Sequence, residues 1–499
     1  MEHSRSSSFK AAGIDAGSNY KWTVLLVTTI GAFMTPLDGS IVTIAIPSIA
    51  SSIRIGLETA VWIPLAYLLL LTVLLINAGR IGDLKGRKHF YAAGFVVFTA
   101  GSVLCAVSAT DIQLVLFRAL QGVGAALVAA NSTAIVTDSF PKAELGKALG
   151  INTMAVYIGL TAGPVIGGIL VQNYGWRSIF YVNVPIGILV VTLTILKLRE
   201  TGRGQTIGGF DLAGAASLSL ALGSLLVVLT LGSTYGWISA PTLGLLIFSG
   251  LTLIFFLRVE SKLARYPTLD LSLFTRNRLF AAANTTALLS YTAFNGVTLM
   301  ISIYLQSIRG LNVETAGFFL IAESASMALL SPFSGWLSDR LGSRLLSTLG
   351  MFLVSVGLYF FSWLSAASSA LDIISRLILV GVGFGVFSSP NTRAVMGSVN
   401  QSKLGVAAGT LGTMRFMGQS LGLALLGTVM ATTLPPKTLL ALFTGLSVEN
   451  GVAMAEFVQG MRNFFLVASA IGVVATLTSL IRGQESTNAN AQLRTIQAS

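Results

Sequence analysis

The sequence predicts an all-α membrane protein with fourteen spans, arranged as two six-helix bundles with two further helices inserted between them. Three observations lead to this prediction. Of 499 residues, 54% are hydrophobic and only 10% are charged, with a mean hydropathy of +0.80, whereas soluble domains carry about 25% charged residues. Apolar stretches long enough to cross a bilayer as helices recur from residue 22 to residue 481. A charged loop in the first half of the chain is repeated in the second half.

The repeated loop lies after the second predicted span. It reads GRIGDLKGRK at 79–88 and GWLSDRLGSR at 335–344. One offset of 256 (335 − 79, 339 − 83 and 342 − 86) relates Gly79 to Gly335, Asp83 to Asp339, and Gly86 to Gly342. Because unrelated segments would not keep one offset at several positions of matching chemistry, we predict a duplicated bundle. The offset is longer than six spans need, so two extra spans are placed between the repeats.

Taken in order, the chain begins with a polar, serine-rich stretch that predicts a cytoplasmic tail. The stretch is not a secretory signal, because the first apolar segment is too long for one. Spans of about 20 residues follow at 23–47, 60–79, 89–108, 112–136, 147–171, 178–197, 212–231, 242–257, 279–305, 314–336, 345–365, 371–396, 404–431 and 463–481. These spans divide the chain into a tail (1–21), an N-terminal six-helix bundle (22–197), a linker with two inserted helices (198–278), a C-terminal six-helix bundle (279–481) and a second tail (482–499).

Lysine and arginine are concentrated in the loops on the side of the two termini. This asymmetry predicts that both termini are cytoplasmic in a cell (inner or plasma) membrane. The opposite side holds only Arg54, Arg177, Arg309, Lys437 and Arg462. The net charge of +12 therefore reflects membrane orientation, and no nucleic-acid partner is expected. A single cysteine excludes an intramolecular disulfide and a multi-cysteine metal site, and no cofactor or metal is expected.

Several motifs carry a family resemblance. The loop 79–88 resembles the signature between spans two and three of the major facilitator superfamily. LDGSIVTIAIP at 37–47, RALQGVG at 118–124 and GLTAGPVIGG at 159–168 are similar to the first-span, fourth-span and fifth-span motifs of its fourteen-span drug:proton antiporters. The resemblance covers residues 22 to 481 and implies the major facilitator fold. It also implies a proton-coupled exporter of lipophilic drugs that works as a monomer. The acid Glu323 departs from the pattern of that family.

Charged residues inside predicted spans are the first candidates for function, since each costs at least about 2.5–3.5 kcal/mol to insert. Asp38 and Arg118 lie nine and six residues from the outer ends of spans one and four, about 14 Å and 9 Å deep. A long guanidinium side chain can close that gap, so the two are predicted to pair. Burial favours the protonated carboxyl, whereas a neighbouring arginine favours the charged one. Asp38 is therefore a candidate proton carrier tuned by Arg118; the alternative is a static structural ion pair.

A second acid, Glu323, lies near the midplane of its span, and Arg415 enters span thirteen to a similar depth. Glu323 is predicted to be a second proton site or a counter-charge for cationic substrates. The alternative is an acid that Arg415 neutralises in order to hold the C-terminal bundle together.

Two groups of residues are candidates for conformational control. Gly159, Gly163 and Gly167 share one helix face, and small residues there allow close helix contact. Together with Pro164, which can kink the helix, they are predicted to seal the contact between the two bundles; ordinary close packing is the alternative. In the repeated loop, a further set is predicted to latch one access state, unless the loop is simply solvated: Gly79, Asp83, Gly86, Arg87 and the repeat residue Asp339.

Span nine carries polar residues at near-helical spacing, including Tyr291 and Asn295. Polar stripes on membrane helices usually face the bundle interior. Tyr291 and Asn295 are therefore predicted to line a cavity for lipophilic substrates. Trp62 and Tyr67 on span two and Asn391 on span twelve are predicted to line the same cavity. Aromatic residues near span ends are equally typical of interface anchors.

The sequence therefore favours a secondary active exporter that exchanges protons for lipophilic, cationic or neutral compounds across the bilayer. A dedicated exporter of one metabolite, lipid, siderophore or antibiotic is the alternative within transport. A channel or a membrane enzyme is more distant, because no Ser/His/Asp arrangement, metal-ligand cluster or nucleotide-binding loop is present in the sequence.

Overall fold

The computed structural model describes residues 18–140, 142–200, 211–236, 238–263, 272–399, 404–435 and 451–482. Most of the two predicted tails lies outside these residues, as do 201–210 and 264–271 of the predicted linker. In the described part, seventeen helices follow one another: α1 Ser18–Ile53, α2 Leu57–Ala60, α3 Trp62–Lys85, α4 Arg87–Val107, α5 Asp111–Ser139, α6 Lys142–Tyr174, α7 Ser178–Tyr181, α8 Asn183–Lys197, α9 Leu212–Tyr235, α10 Ala240–Arg258, α11 Ser272–Arg276, α12 Arg278–Ile303, α13 Val313–Leu341, α14 Ser343–Phe361, α15 Ala370–Gly397, α16 Leu404–Thr433 and α17 Gly451–Leu480.

Thirteen helices of the described chain are long and apolar enough to cross a membrane, with α7 and α8 forming one span. The helix at predicted span seven, α9, contains a shorter apolar segment, Ala213–Leu225. An all-helical, multi-pass membrane protein of 13 to 14 spans is therefore confirmed. Several helices are longer than predicted, and α17 begins at 451 rather than 463. Hydropathy detects only the part of a helix that suits hydrocarbon, whereas the backbone hydrogen bonds continue past it.

The repeated loops fold alike. Gly86 joins α3 to α4 with φ 117°, and Gly342 joins α13 to α14 with φ 80°. The Gly86 N–H donates to the Gly82 carbonyl at 2.8 Å, and the Gly342 N–H donates to the Ser338 carbonyl at 3.0 Å. Both positions need a residue that tolerates positive φ, which glycine does at no steric cost. The backbone thus repeats at the same offset as the sequence.

We call α1–α8 the N-half and α12–α17 the C-half. Within the N-half, α1 packs on α6, and α5 packs on both α3 and α4; within the C-half, α15 packs on α13 and α14, and α12 packs on α16 and α17. The halves meet through α6 with α13, α3 with α16, and α1 with α12. The inserted helices α9 and α10 pack on each other, and α9 also contacts α3 and α16. The predicted domain division itself stays a prediction.

The outer surface of α10 is almost entirely apolar. Its side chains Ile247, Leu251 and Phe255 are 62%, 61% and 54% exposed. A face of this kind would be unfavourable in water but is favourable against lipid tails.

The N-terminal end of α1 and the C-terminal end of α17 lie on one side of the bundle. We call that side the terminal face and the opposite side the distal face.

Candidate functional site

The first site is built around the carboxyl of Asp38 in the middle of α1. Asp38 is 1% exposed and Arg118 of α5 is 0% exposed. The Arg118 Nη1 atom lies 2.7 Å from the Asp38 Oδ2 atom. The predicted pairing of these two residues is therefore present, and the depth argument from the two helices was sufficient to find it.

Three further polar side chains complete this cluster. The Asn183 and Gln121 amides donate to Asp38 Oδ1 at 2.6 and 2.9 Å. Both amides also donate to Ser102, at 3.3 and 2.8 Å, and Arg118 donates to Gln121 Oε1 at 2.5 Å. We call Asp38, Arg118, Gln121, Ser102 and Asn183 the Asp38 cluster. The Asp38 carboxyl thus accepts from three side chains on α5 and α8.

Sequence reasoning missed Ser102, Gln121 and Asn183. Gln121 lies three residues after Arg118 and so shares its helix face, which is a signal that could have identified it. Asn183 is polar at the start of an apolar span, but so are many other residues. Only the packing of α4, α5 and α8 around α1 brings these amides and the hydroxyl together.

Tyr67 packs against the Asp38 cluster. Its side chain is 3% exposed, and the Arg118 guanidinium lies 4.4 Å from the centre of its ring. A cation over an aromatic face is stabilised by the ring quadrupole. That Tyr67 lines a substrate cavity stays a prediction.

The second site is centred on Glu323 of α13, which is 3% exposed. The Thr298 hydroxyl of α12 donates to its Oε2 atom at 3.2 Å. Its Oε1 atom is buried and has no hydrogen-bond partner among the described residues. A buried carboxyl with one unoccupied oxygen is costly unless it is protonated or receives a ligand.

Arg415 of α16 does not pair with Glu323, which corrects the expectation from the sequence. Its Nη2 atom donates to the Thr392 hydroxyl at 2.5 Å, and its guanidinium lies 5.8 Å from the centre of the Tyr291 ring. Glu323 contacts Thr298 and Arg415 contacts Tyr291, and both of these contact residues lie on α12. They are seven residues apart, about 10 Å along the helix, so similar depth in the sequence did not mean contact.

The glycine face of α6 packs inside the N-half. A Cβ atom on Gly159 would lie 2.4 Å from the Phe33 carbonyl oxygen, and one on Gly163 would lie 1.8 Å from the Ser40 hydroxyl. A Cβ atom on Gly167 would lie 2.7 Å from Ile44 Cγ2. All three neighbours are on α1. The prediction that this face seals the two halves is therefore wrong.

The contact between the halves is made by the adjacent face of α6. A Cβ atom on Gly317 of α13 would lie 2.3 Å from the Pro164 carbonyl oxygen, and one on Gly168 would lie 2.8 Å from Glu314 Cα. Positions 164 and 168 follow 163 and 167 by one residue, which rotates them by about 100° around the helix. Pro164 thus does lie at the contact between the halves, as predicted.

At the first repeated loop, Arg87 forms an ion pair with Asp138 of α5 and donates to the Ala134 carbonyl at 3.4 Å. The Glu200 carboxylate accepts from the Lys88 N–H at 3.1 Å and lies beside Gly86. Neither acid was identified from the sequence. At Gly79 a Cβ atom would make only an ordinary contact of 3.7 Å. The side chains of Asp83 and Asp339 lie outside the described part of the structure.

The remaining predicted substrate residues separate into two groups. Trp62, Tyr291 and Asn295 are half-buried, and the Asn295 amide donates to the Gln419 carbonyl at 3.0 Å. Asn391 is 1% exposed and binds the Ala283 carbonyl at 3.1 Å and Arg482 at 3.3 Å. That these four residues line a substrate cavity stays a prediction. Among the described residues, no group of three His, Cys, Asp or Glu side chains could hold a metal ion.

Paired helical halves, a repeated loop and buried charges between spans define a membrane transporter of the secondary type. The chain belongs to the Major Facilitator Superfamily, whose family model matches residues 28–423. Membership of this transporter family confirms that the chain is not an enzyme.

Individual relatives agree with this assignment. The chain is 35% identical over 411 residues to "Multidrug resistance protein Stp" of Mycobacterium tuberculosis (strain ATCC 25618 / H37Rv), covering 82% of this chain and 76% of that protein. It is 34% identical over 420 residues to "Riboflavin transporter RibZ" of Clostridioides difficile (strain 630), covering 83% and 89%. A solved structure of a bacterial homologue of the human lysosomal transporter Spinster, inward-facing and unoccupied, has a TM-score of 0.66 at 17% identity, covering 93% and 97%. That likeness shows the fold.

Proposed function

We propose that this chain is a proton-coupled antiporter that exports lipophilic, cationic or neutral compounds by alternating access. The observation that carries the proposal is the Asp38 cluster, in which one buried carboxyl ties α1 to α5 and α8. A relative named for multidrug resistance supports toxic compounds as the cargo. The excess of basic residues on the terminal face supports a cytoplasmic position for that face in the cell membrane. We propose further that the protein works as a monomer.

The proposed coupling runs along α1. Ile44 lies six residues after Asp38, about 9 Å toward the distal face. Its carbonyl accepts from Gln306 of the C-half at 3.0 Å and from Ser302 at 3.4 Å. A proton on Asp38 would remove its charge and weaken its bonds to Arg118 and the two amides. The contact of α5 and α8 with α1 would then weaken. Because α1 also carries Ile44, the contact between the halves on the distal side would weaken as well.

Asp38 is sealed in the present conformation, so the proposal requires a second conformation that admits water to it. Other contacts between the halves also lie toward the distal face, including Val61 against Gly427 and Gly168 against Glu314. Two halves that are in contact at one face and apart at the other can rock against each other, so that the first face opens and the second closes. Neutralising Asp38 is the proposed trigger for that exchange.

The test is transport in proteoliposomes under an imposed pH gradient, with ethidium as a cationic probe. Asp38→Asn is expected to abolish accumulation driven by the gradient while leaving ethidium binding in place. Asp111→Asn, the same chemical change at the first turn of α5, is the matched control and should transport normally. Gradient-driven accumulation by Asp38→Asn at the wild-type rate would overturn the proposal.

A dedicated exporter of one metabolite, antibiotic, lipid or siderophore is the second candidate. It is supported by the relative named for a single compound, riboflavin, at nearly the same identity as the relative named for multidrug resistance. A transport panel of cationic, neutral and anionic compounds separates the two candidates. Several structurally unrelated substrates favour the multidrug exporter, and a single substrate favours the dedicated one.

A further inference from the structure

Arg415 differs from Arg118 and Arg376, two other arginines that lie within the helices. Arg118 has the Asp38 carboxylate at 2.7 Å, and Arg376 has the Asp372 carboxylate at 2.8 Å. Arg415 donates to a neutral hydroxyl, that of Thr392, and forms no ion pair with any carboxylate of the described residues. Its Nε atom is buried without an acceptor in the same part of the chain. A guanidinium without a counter-charge is costly in a membrane interior.

This arginine lies where the two halves meet. The Thr392 hydroxyl that it binds donates in turn to the Ser388 carbonyl at 2.8 Å. The Ser388 hydroxyl lies 2.9 Å from the hydroxyl of Tyr157, which belongs to α6 of the N-half. One helical turn before Arg415, Gly412 approaches Leu75 of α3. The Arg415 side chain is half-buried rather than sealed.

An aromatic wall lies beside the guanidinium. The Tyr291 ring packs edge-on against Phe384 with ring centres 5.0 Å apart, and Phe294 stacks on Phe384 at 4.2 Å. Phe384 is 1% exposed, whereas Tyr291 and Phe294 are half-buried and lie one turn apart on α12. A Cβ atom on Gly418 would lie 2.9 Å from Tyr291 Cβ, so α16 holds Arg415 close against this wall.

We propose that Arg415 and the rings of Tyr291 and Phe294 form a subsite for an acidic oxygen, a carboxylate or a phenolate, on a planar aromatic compound. A guanidinium presents a planar fork of donors that matches a carboxylate. The aromatic rings receive the body of the ligand by stacking. The missing counter-charge of Arg415 is supplied by the cargo.

This inference deepens the proposed function and rests on it only for the statement that the bound compound is transported. Glu323 lies beside Gly381, eleven residues from Thr392 on α15, about 16 Å along the helix. A cargo with a basic nitrogen near Glu323 and an acidic oxygen at Arg415 is neutral overall. It therefore agrees with the cargo charge proposed above.

The test compares 9-anthracenecarboxylate with 9-anthracenecarboxamide, two probes that share one aromatic body and differ in charge. Their dissociation constants are measured by calorimetry on the full chain in lipid nanodiscs. Wild type is expected to bind the carboxylate at least about tenfold more tightly than the amide, as a charge-assisted bond requires. Arg415→Gln should lose this preference while binding the amide as before. Arg376→Gln, the same change at an arginine of the C-half that is paired with Asp372, is the matched control and should keep it.

Equal affinity of wild type for the two probes would overturn the proposal, and this comparison needs no variant to fold. An Arg415→Gln protein that elutes as a monodisperse peak and keeps the full preference would also overturn it. Asp38→Asn should retain the preference even though its coupled transport is lost. If Asp38→Asn transports normally and the preference is still present, the antiport proposal fails while the carboxylate subsite stands.

Discussion

Replacing Arg118 by methionine tests how strongly the Asp38 cluster holds the N-half together. The change removes the cation 2.7 Å from Asp38 Oδ2 but keeps a long apolar side chain over Tyr67. Both partners are at most 1% exposed, so water does not screen the loss. Breaking one partner of a buried pair costs about 3–5 kcal/mol. The Asn183 and Gln121 donors remain on Oδ1, which places the expected cost at the lower end, about 3 kcal/mol.

The measurement is the unfolding free energy in a titration with sodium dodecyl sulfate, for Arg118→Met, Asp38→Asn and the double variant. The double variant should be more stable than the sum of the two single losses predicts, by about 0.5–3 kcal/mol, because each single change leaves the partner unmatched.

The partly exposed pair Arg376–Asp372 is the control. Its carboxylate side chain is 36% exposed, and a pair four residues apart on a helix contributes only about 0.3–0.5 kcal/mol. Asp372→Asn should therefore lie close to wild type. Additive losses in the double variant, or an Arg118→Met cost as small as that of Asp372→Asn, would refute the claim that the Asp38 cluster is a coupled unit.

Two further predictions concern packing and cargo charge. Gly163→Ala should lower the unfolding temperature in detergent, because the new Cβ atom would lie 1.8 Å from the Ser40 hydroxyl and overpacking costs about 1–3 kcal/mol. Gly39→Ala, with nothing within 4 Å of the new atom, should be neutral or slightly stabilising; equal effects of the two would contradict the close contact of α6 with α1. If Glu323 is the predicted counter-charge for cationic substrates, Glu323→Gln should reduce the rate of ethidium transport while leaving the transport of a neutral substrate unchanged. An equal loss for both substrates would indicate a structural or proton-carrying role for Glu323 instead.

The Asp38–Arg118 pair shows why part of the site was predictable. Both residues are ionisable, both lie in apolar spans, and a helix converts residue number into depth at a fixed rise. The same arithmetic placed Glu323 and Arg415 at similar depth, yet their levels on α12 are about 10 Å apart. The starts of α13 and α16, at 313 and 404, agree with the predicted starts to within one residue. The two side chains therefore miss each other because depth counted along two separate helices does not fix which residues face each other.

The glycines of α6 show that residue spacing predicts a shared helix face but not the neighbour of that face. Their spacing of four residues correctly placed Gly159, Gly163 and Gly167 on one face. It could not say which neighbour that face meets, and the structure assigns it to α1, while Pro164 and Gly168 meet α13. Ser102, Gln121 and Asn183 were missed for the same reason. The sequence shows that a residue in a span is polar, but its partner depends on how the helix is rotated about its axis.

The sequence by itself determined the membrane environment, the helical spans, the internal repeat and the family to which the motifs point. These properties follow from local hydropathy, from one offset in residue number and from short motifs, and they need no knowledge of neighbours. Only the tertiary structure decided which face of each helix contacts which partner. It places Tyr67 against Arg118, separates Glu323 from Arg415, and places Arg415 where the two halves meet. The physical reason is that the rotation of a membrane helix about its axis is set by close packing against other helices, and that packing is a property of the whole bundle.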